Sequence, residues 1–190
     1  MENKKVWFEL MQELKIDNSK KQKKGLHFII TSVFIWVAIL IIQLTNLPIL
    51  TKNLCTLCCS APLFPLALFF SKLLNIEFQN KENPLTSMGI LAAANQMLYI
   101  LIAMWVYRSV PDKMLMVYAM IFGAHLLPYG WLYQSKTYYT FSVVIPIAVL
   151  VIGVNYSAAV IAAMMIGMEM ALSICLWLEV RQLFSNATSG

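Results

Sequence analysis

Eleven of the chain's 23 charged side chains fall within its first 24 residues, and another eleven are spread over the 156 positions from 25 to 180. A stretch that long with so few charges does not cover itself in water, where an ordinary soluble domain carries about a quarter of its residues as Asp, Glu, Lys or Arg. Here the charged fraction is 12% and the hydrophobic fraction 60%. The same composition excludes a disordered chain, which is poor in apolar residues and rich in charge. A charged tip on a long apolar body reads as a polytopic membrane protein.

Six apolar segments each have the length needed to cross a hydrocarbon core: residues 26–47, 54–74, 85–107, 114–133, 138–154 and 157–180. The breaks fall at Asn46-Leu47-Pro48, in a charged loop over 75–84, at 108–113 around Pro111, at Gln134-Ser135-Lys136 and at Asn155. The last break carries no charge, but 138–180 as one piece is far too long for a single crossing. Backbone amides in hydrocarbon must be bonded within the chain, so the expected fold is all-α, a six-span transmembrane bundle. Residues 1–24 form a basic cytosolic segment, 25–181 the six-span domain and 182–190 a short cytosolic tail. With the N-terminus inside, eleven Lys and Arg fall on the cytosolic side against three outside (Lys52, Arg108, Lys113), so the positive-inside rule puts both ends in the cytosol.

The tip has apolar residues at Val6, Trp7, Leu10, Met11 and Leu14, at spacings of three and four, with Lys and Glu between them. That pattern predicts a short amphipathic helix, either lying in the membrane interface or packed on the protein's own cytosolic loops. Its seven lysines (Lys4, Lys5, Lys15, Lys20, Lys21, Lys23, Lys24) point to anionic lipid headgroups as partners. A nucleic-acid partner would need a basic surface on a soluble module, and none is present.

One charged residue falls deep in a span: Glu169, thirteenth of 24 in span six. An unpaired carboxylate there costs several kcal/mol, so it must be protonated, paired or wet, and such acids are functional candidates. Span four places His125 near mid-depth, with Tyr129 one turn away on the same face, and Pro128 removes the hydrogen bond to the Ala124 carbonyl and loosens the turn. Span three adds Asn95 and Gln96 at similar depth. Glu169, His125, Tyr129, Asn95 and Gln96 are therefore the candidate substrate- or ion-binding residues, expected to share one polar locus. A hydrogen-bond cluster that only fixes helix packing is the alternative. No cofactor and no metal site is expected. Ala159, Ala163, Gly167 and Ala171 make a small-residue stripe on the face of span six turned away from Glu169, a candidate surface for a homo-oligomer.

Cys55-Thr56-Leu57-Cys58-Cys59 contains a redox or metal spacing, but no second pair accompanies it, and small apolar filler explains it with less. Twelve methionines are read as helical gap-fillers. Phosphate-cradling loops, nucleophile elbows and metalloprotease motifs are absent from the sequence.

The run Ala61-Pro62-Leu63-Phe64-Pro65-Leu66-Ala67, then Ser71-Lys72-Leu73-Leu74, Asn83-Pro84-Leu85, Asn95-Gln96 and the stretch from Gly123-Ala124-His125 through Pro128-Tyr129-Gly130-Trp131-Leu132-Tyr133 resemble a group of small bacterial multi-span membrane proteins classed as a domain of unknown function. The resemblance covers residues 25 to 180, is most specific in span four, and leaves the charged tip outside. It implies a bacterial inner-membrane protein and transfers no functional residue. The reading that joins these features is a small secondary transporter or permease-like protein with a mid-membrane polar site. A non-enzymatic partner subunit or sensor, and a membrane thiol oxidoreductase or lipid-modifying enzyme, are the alternatives.

Overall fold

Apolar runs punctuated by Pro, Gly and short charged loops become a chain of α-helices. The computed structural model describes residues 2–188, and among these there is no strand. The helices are α1 (Glu2–Lys21), α2 (Leu26–Leu44), α3 (Ile49–Cys58), α4 (Leu63–Leu73), α5 (Thr86–Ser109), α6 (Met114–Ala124), α7 (Leu127–Leu132), α8 (Lys136–Asn155) and α9 (Ala158–Thr188). Among the described residues, five helical stretches are long and apolar enough to cross a membrane: Lys23–Leu44, Thr86–Ser109, Pro111–Leu132, Lys136–Asn155 and Ala158–Ser185. A sixth crossing arises if α3 and α4, bent by 44° at the short break before Pro62, act as one span. The uncharged break at Asn155 separates two helices, because Tyr156 is extended and ends α8. The last helix continues through residues 182–188, expected as tail; Ser189 and Gly190 lie outside the described residues.

The centre of the bundle is the pairing of α2 with α9, the most extensive helix contact in the molecule, followed by α6 with α8 and α2 with α4. Trp36, Ile39, Met114, Leu115, Ile145, Ile161, Met165 and Leu172 are fully enclosed between these helices. Gly123 lets α6 touch α8 closely: a Cβ there would stand 2.6 Å from Ile145 and 2.7 Å from Pro146. This is the close backbone approach that small residues permit between helices in lipid. The outlying helix is α5, packed mainly on α6 and α7.

One end of the bundle gathers the lysine-rich tip. Lys23, Lys24 and Gly25 have φ of 43°, 53° and 71°, three left-handed residues in succession that turn the chain sharply from α1 into α2. Such backbone is strained for the two lysines and persists only where surroundings hold it. Here the Tyr138 hydroxyl donates to the Lys24 carbonyl at 2.8 Å, and Lys24 Nζ donates to Glu179 Oε2 at 2.6 Å. The Thr137 amide and hydroxyl both donate to the other oxygen of Glu179. Lys23 Nζ donates to the Leu74 carbonyl, at the C-terminus of α4 where a cation is favoured. Lys15 lies over the Trp131 ring at 3.5 Å from its centre, and Lys21 pairs with Asp17 and Glu82. With Lys5 paired to Glu9 on α1, five of the seven lysines are thus engaged by the protein's own groups.

The second half of α1 is docked on the protein. Asn80 and Asn83 both donate to Asp17 Oδ2, Asn83 also donates to the Leu14 carbonyl, and the Ser19 hydroxyl donates to the Tyr133 carbonyl. Its first half leaves Val6, Trp7, Leu10 and Met11 exposed. The amide bond from Asn83, then that from Asn80 and the charge of Lys21, hold the Asp17 carboxyl below the usual carboxylate range. A depressed carboxyl contributes stability above its unfolded value, about 4, and loses it as pH falls through the lowered folded value. Hydrogen-exchange protection factors of residues 12–22, taken relative to intrinsic amide exchange at each pH, should therefore hold from neutral pH to about 5 and fall only below about 4. Asp17→Asn should exchange faster at neutral pH and lose that pH dependence.

Candidate functional site

The face of α9 opposite its small-residue stripe carries Glu169, which packs against α2 with no exposed surface. Its Oε2 is 2.5 Å from the Ser32 hydroxyl, itself 2.7 Å from the Ile29 carbonyl one turn back on α2. A serine hydroxyl has a single proton, so it cannot donate to both oxygens at once. Both contacts are satisfied together only when Glu169 carries the proton and donates to Ser32, which donates in turn to Ile29. Two further facts agree with a neutral acid. No Lys, Arg or His makes an ion pair with Glu169 among the described residues, and its Oε1 has no hydrogen-bond partner. An ionised carboxylate so enclosed would be among the costliest arrangements a bilayer protein can hold.

Towards the lysine-rich end, Ser173 lies one turn from Glu169 on α9, and its hydroxyl also lacks a partner. Ser173 lines a 210 Å³ cleft with Ile30, Val33, Phe34, Met170 and Ile174 along the α2–α9 seam. Leu172 and Leu176, both fully enclosed, fill the interior between Glu169 and the Lys24–Glu179 pair.

His125 and Tyr129 stand together at a second place. The helix is interrupted after Ala124, and Leu126 bonds back only three residues to Gly123, as Pro128 demands. The His125 ring folds onto its own helix, with Nδ1 against the Phe122 carbonyl, and its edge meets Tyr129 at 5.8 Å between ring centres. The Tyr129 hydroxyl donates to the Gly89 carbonyl on α5 at 3.3 Å. Beside it a 230 Å³ cleft is lined by Met88, Gly89, Ala92, Pro128, Trp131 and Leu132. No hydrogen bond or ion pair joins His125 to Glu169 among the described residues. Asn95 is exposed on α5 and Gln96 half-buried, neither with a hydrogen-bond partner. The structure thus brings together His125 with Tyr129, encloses Glu169 with Ser32, and leaves Asn95 on the outside of the bundle.

Sequence reasoning passed over two residues that matter here. Ser32 had no distinguishing signal, since serines are common in spans. His27, one of only two histidines, had one. It is 1% exposed between Phe28 and Phe78, with ring centres 4.4 and 5.5 Å away, and neither ring nitrogen has a partner. All four cysteines are free, with Cys55, Cys58 and Cys59 around the end of α3. No group of three or more His, Cys, Asp or Glu capable of holding a metal occurs among the described residues.

A bundle of apolar helices enclosing a carboxyl in its central seam defines the class: an all-helical membrane protein. Residues 11–179 match the family of unknown function DUF7010, and the chain belongs to that family. Searches of curated proteins and of solved structures find no match.

Replacing Ser32 tests the Glu169 contact directly. Ser32→Ala should lower unfolding stability in detergent by about 1–3 kcal/mol, the usual effect of orphaning a buried polar group. Adding Glu169→Leu should recover most of that loss, since an apolar pair leaves nothing unsatisfied.

Proposed function

We propose that the protein is a small proton-coupled secondary transporter or permease-like protein of the bacterial cytoplasmic membrane, with Glu169 as the group that takes up and releases the coupling proton. The single observation that supports this reading is the enclosed Glu169 carboxyl, hydrogen-bonded on one oxygen and unpartnered on the other, within the main helix–helix seam. Neutral, it fits the closed seam. Ionised, it needs water or a cation, so loss of the proton favours separation of α9 from α2. Coupling of protonation to helix packing is the elementary step an alternating-access protein requires. Leu172 and Leu176, fully enclosed along α9 between Glu169 and the Lys24–Glu179 pair, fit an occluded state. The loosened turn at His125, with Tyr129 and the adjoining cleft, is the candidate substrate contact. The lysine-rich end is assigned to the cytosol, where Lys4 and Lys20, without an ion-pair partner among the described residues, and the exposed Val6, Trp7, Leu10 and Met11 are disposed to meet anionic headgroups.

The test uses proteoliposomes on a solid-supported membrane, challenged with pools of amino acids, sugars, organic cations and organic anions. At least one pool should give a current that depends on the pH gradient. Glu169→Gln, isosteric but unable to ionise, should abolish that pH dependence. Silence with every pool, or a pH dependence equal in the variant, contradicts the proposal.

One observation favours a second reading, a non-enzymatic partner subunit. Nothing lies within 4 Å of a Cβ placed on Gly167, and Ala163 and Ala171 on the same face of α9 are exposed. A stable protein partner that co-purifies with the wild type and is lost in Gly167→Leu, together with unchanged currents in Glu169→Gln, would favour that reading over transport.

A further inference from the structure

The least enclosed span is α5. Only 11% of its most apolar window is buried, against 28–50% in the other four single spans, and within it only Ala103 and Val106 are fully covered. Its uncovered surface is broad and also takes in Ile90, Met97, Leu101 and Met104. The stripe of it that contains a polar residue follows a spacing of four, three, four and three: Leu91, Asn95, Leu98, Ile102 and Trp105. The four apolar members are 51–67% exposed. Leucine and isoleucine facing lipid need no explanation. Asn95 does. It is the tenth residue of a 24-residue helix, it is exposed, and its amide has no partner among the described residues. Acyl chains offer neither donor nor acceptor, and an asparagine side chain is too short to reach the headgroups from mid-helix.

We propose that α5 is the self-association helix of this protein, two copies pairing through the Leu91–Leu98–Trp105 face with the Asn95 side chains hydrogen-bonded to each other across a two-fold axis. A second copy suits this surface because an amide carries both an acceptor oxygen and a donor nitrogen. Two asparagines related by a two-fold axis supply one another's missing bonds, as a self-complementary interface demands. A repeat averaging 3.5 residues is the spacing at which two helices keep one seam in contact along their length. The other candidate face, the open stripe at Ala163, Gly167 and Ala171, carries no unsatisfied polar group that a partner would have to meet. The pairing leaves the α2–α9 seam untouched in each copy, so it is independent of the transport reading.

The experiment is oxidative cross-linking of the full-length protein in native-like lipid vesicles, with Cys55, Cys58, Cys59 and Cys175 replaced by Ser. Single cysteines at Leu91, Leu98 and Ile102 should give covalent dimers. Those at Ala103, on the buried side of α5, and at Ala163 or Gly167 on α9 should not. In parallel, subunit counting by single-molecule photobleaching should show two copies for the wild type and for Asn95→Gln, and at least a tenfold weaker association for Asn95→Leu. Because the Asn95 amide has no hydrogen-bond partner within its own chain among the described residues, the Leu variant should keep the wild-type melting temperature, which separates loss of pairing from loss of folding. Cross-links at Ala163 or Gly167 in place of α5, a single copy per spot, a stable complex with a different protein on α5, or undiminished pairing of Asn95→Leu would each overturn the proposal.

Discussion

Hydrocarbon offers no hydrogen bonds, and the layout of this molecule follows from where its polar groups find partners instead. The pivotal instance is the seam between α2 and α9. There a carboxyl with no exposed surface faces a serine hydroxyl, and the bonding closes only when the acid keeps its proton. The buried polar contact within the bundle's most extensive helix pairing therefore depends on the protonation of one side chain, amid apolar packing by Ile35, Ile39, Met165 and Leu172. Were Glu169 to lose that proton, an isolated charge would be left between two helices, and the cheapest relief is for water to enter or the helices to part.

A second set of polar groups organises the lysine-rich end. Tyr129, Tyr133 and Tyr138 form a triangle with ring centres 6.1–6.2 Å apart. Each hydroxyl reaches a different segment: Gly89 on α5, Gln22 at the end of α1, and the Lys24 carbonyl in the left-handed turn. The aromatic faces pack in apolar surroundings while the hydroxyls do the tying, the amphipathic use to which tyrosine is suited. Together with the Lys24–Glu179 pair, the triangle fixes how α1 leaves the bundle and where α9 stands relative to α8. Residues that lie far apart in the chain thus hold the end of the same seam that Glu169 occupies midway.

How much of this was legible in the sequence depends on the kind of signal each residue carries. The all-helical, apolar character of the chain was legible because chain length, Pro and charge act locally, whereas the break between α3 and α4 inside residues 54–74 and the continuation of α9 to Thr188 were not. Glu169 stood out because a lone acid in an apolar run has few explanations. The interruption after Ala124 followed from Pro128 alone. Partners were not legible. Ser32 looks like any other serine until α9 is laid against α2, and the Nδ1 contact that turns His125 back on Phe122 is a choice of rotamer. The expectation that five residues share one locus rested on equal depth, but depth leaves the direction around each helix free. Asn95 and Gln96 belong to a helix apolar on every side, so nothing in the pattern assigned its inner face. The lysines of the tip read as a lipid-facing cluster because their acceptors, Glu179, Glu82 and the Leu74 carbonyl, lie 51 to 155 residues away in the chain.

The state of Glu169 in a bilayer decides whether the account holds. Infrared spectroscopy of the protein in lipid at neutral pH should show the carbonyl stretch of a protonated carboxylic acid in a dry setting. That band should be absent from Glu169→Gln and displaced in Ser32→Ala, where its hydrogen-bond partner is gone. A spectrum without such a band, with Glu169 contributing only ionised carboxylate absorption at neutral pH, would contradict the account.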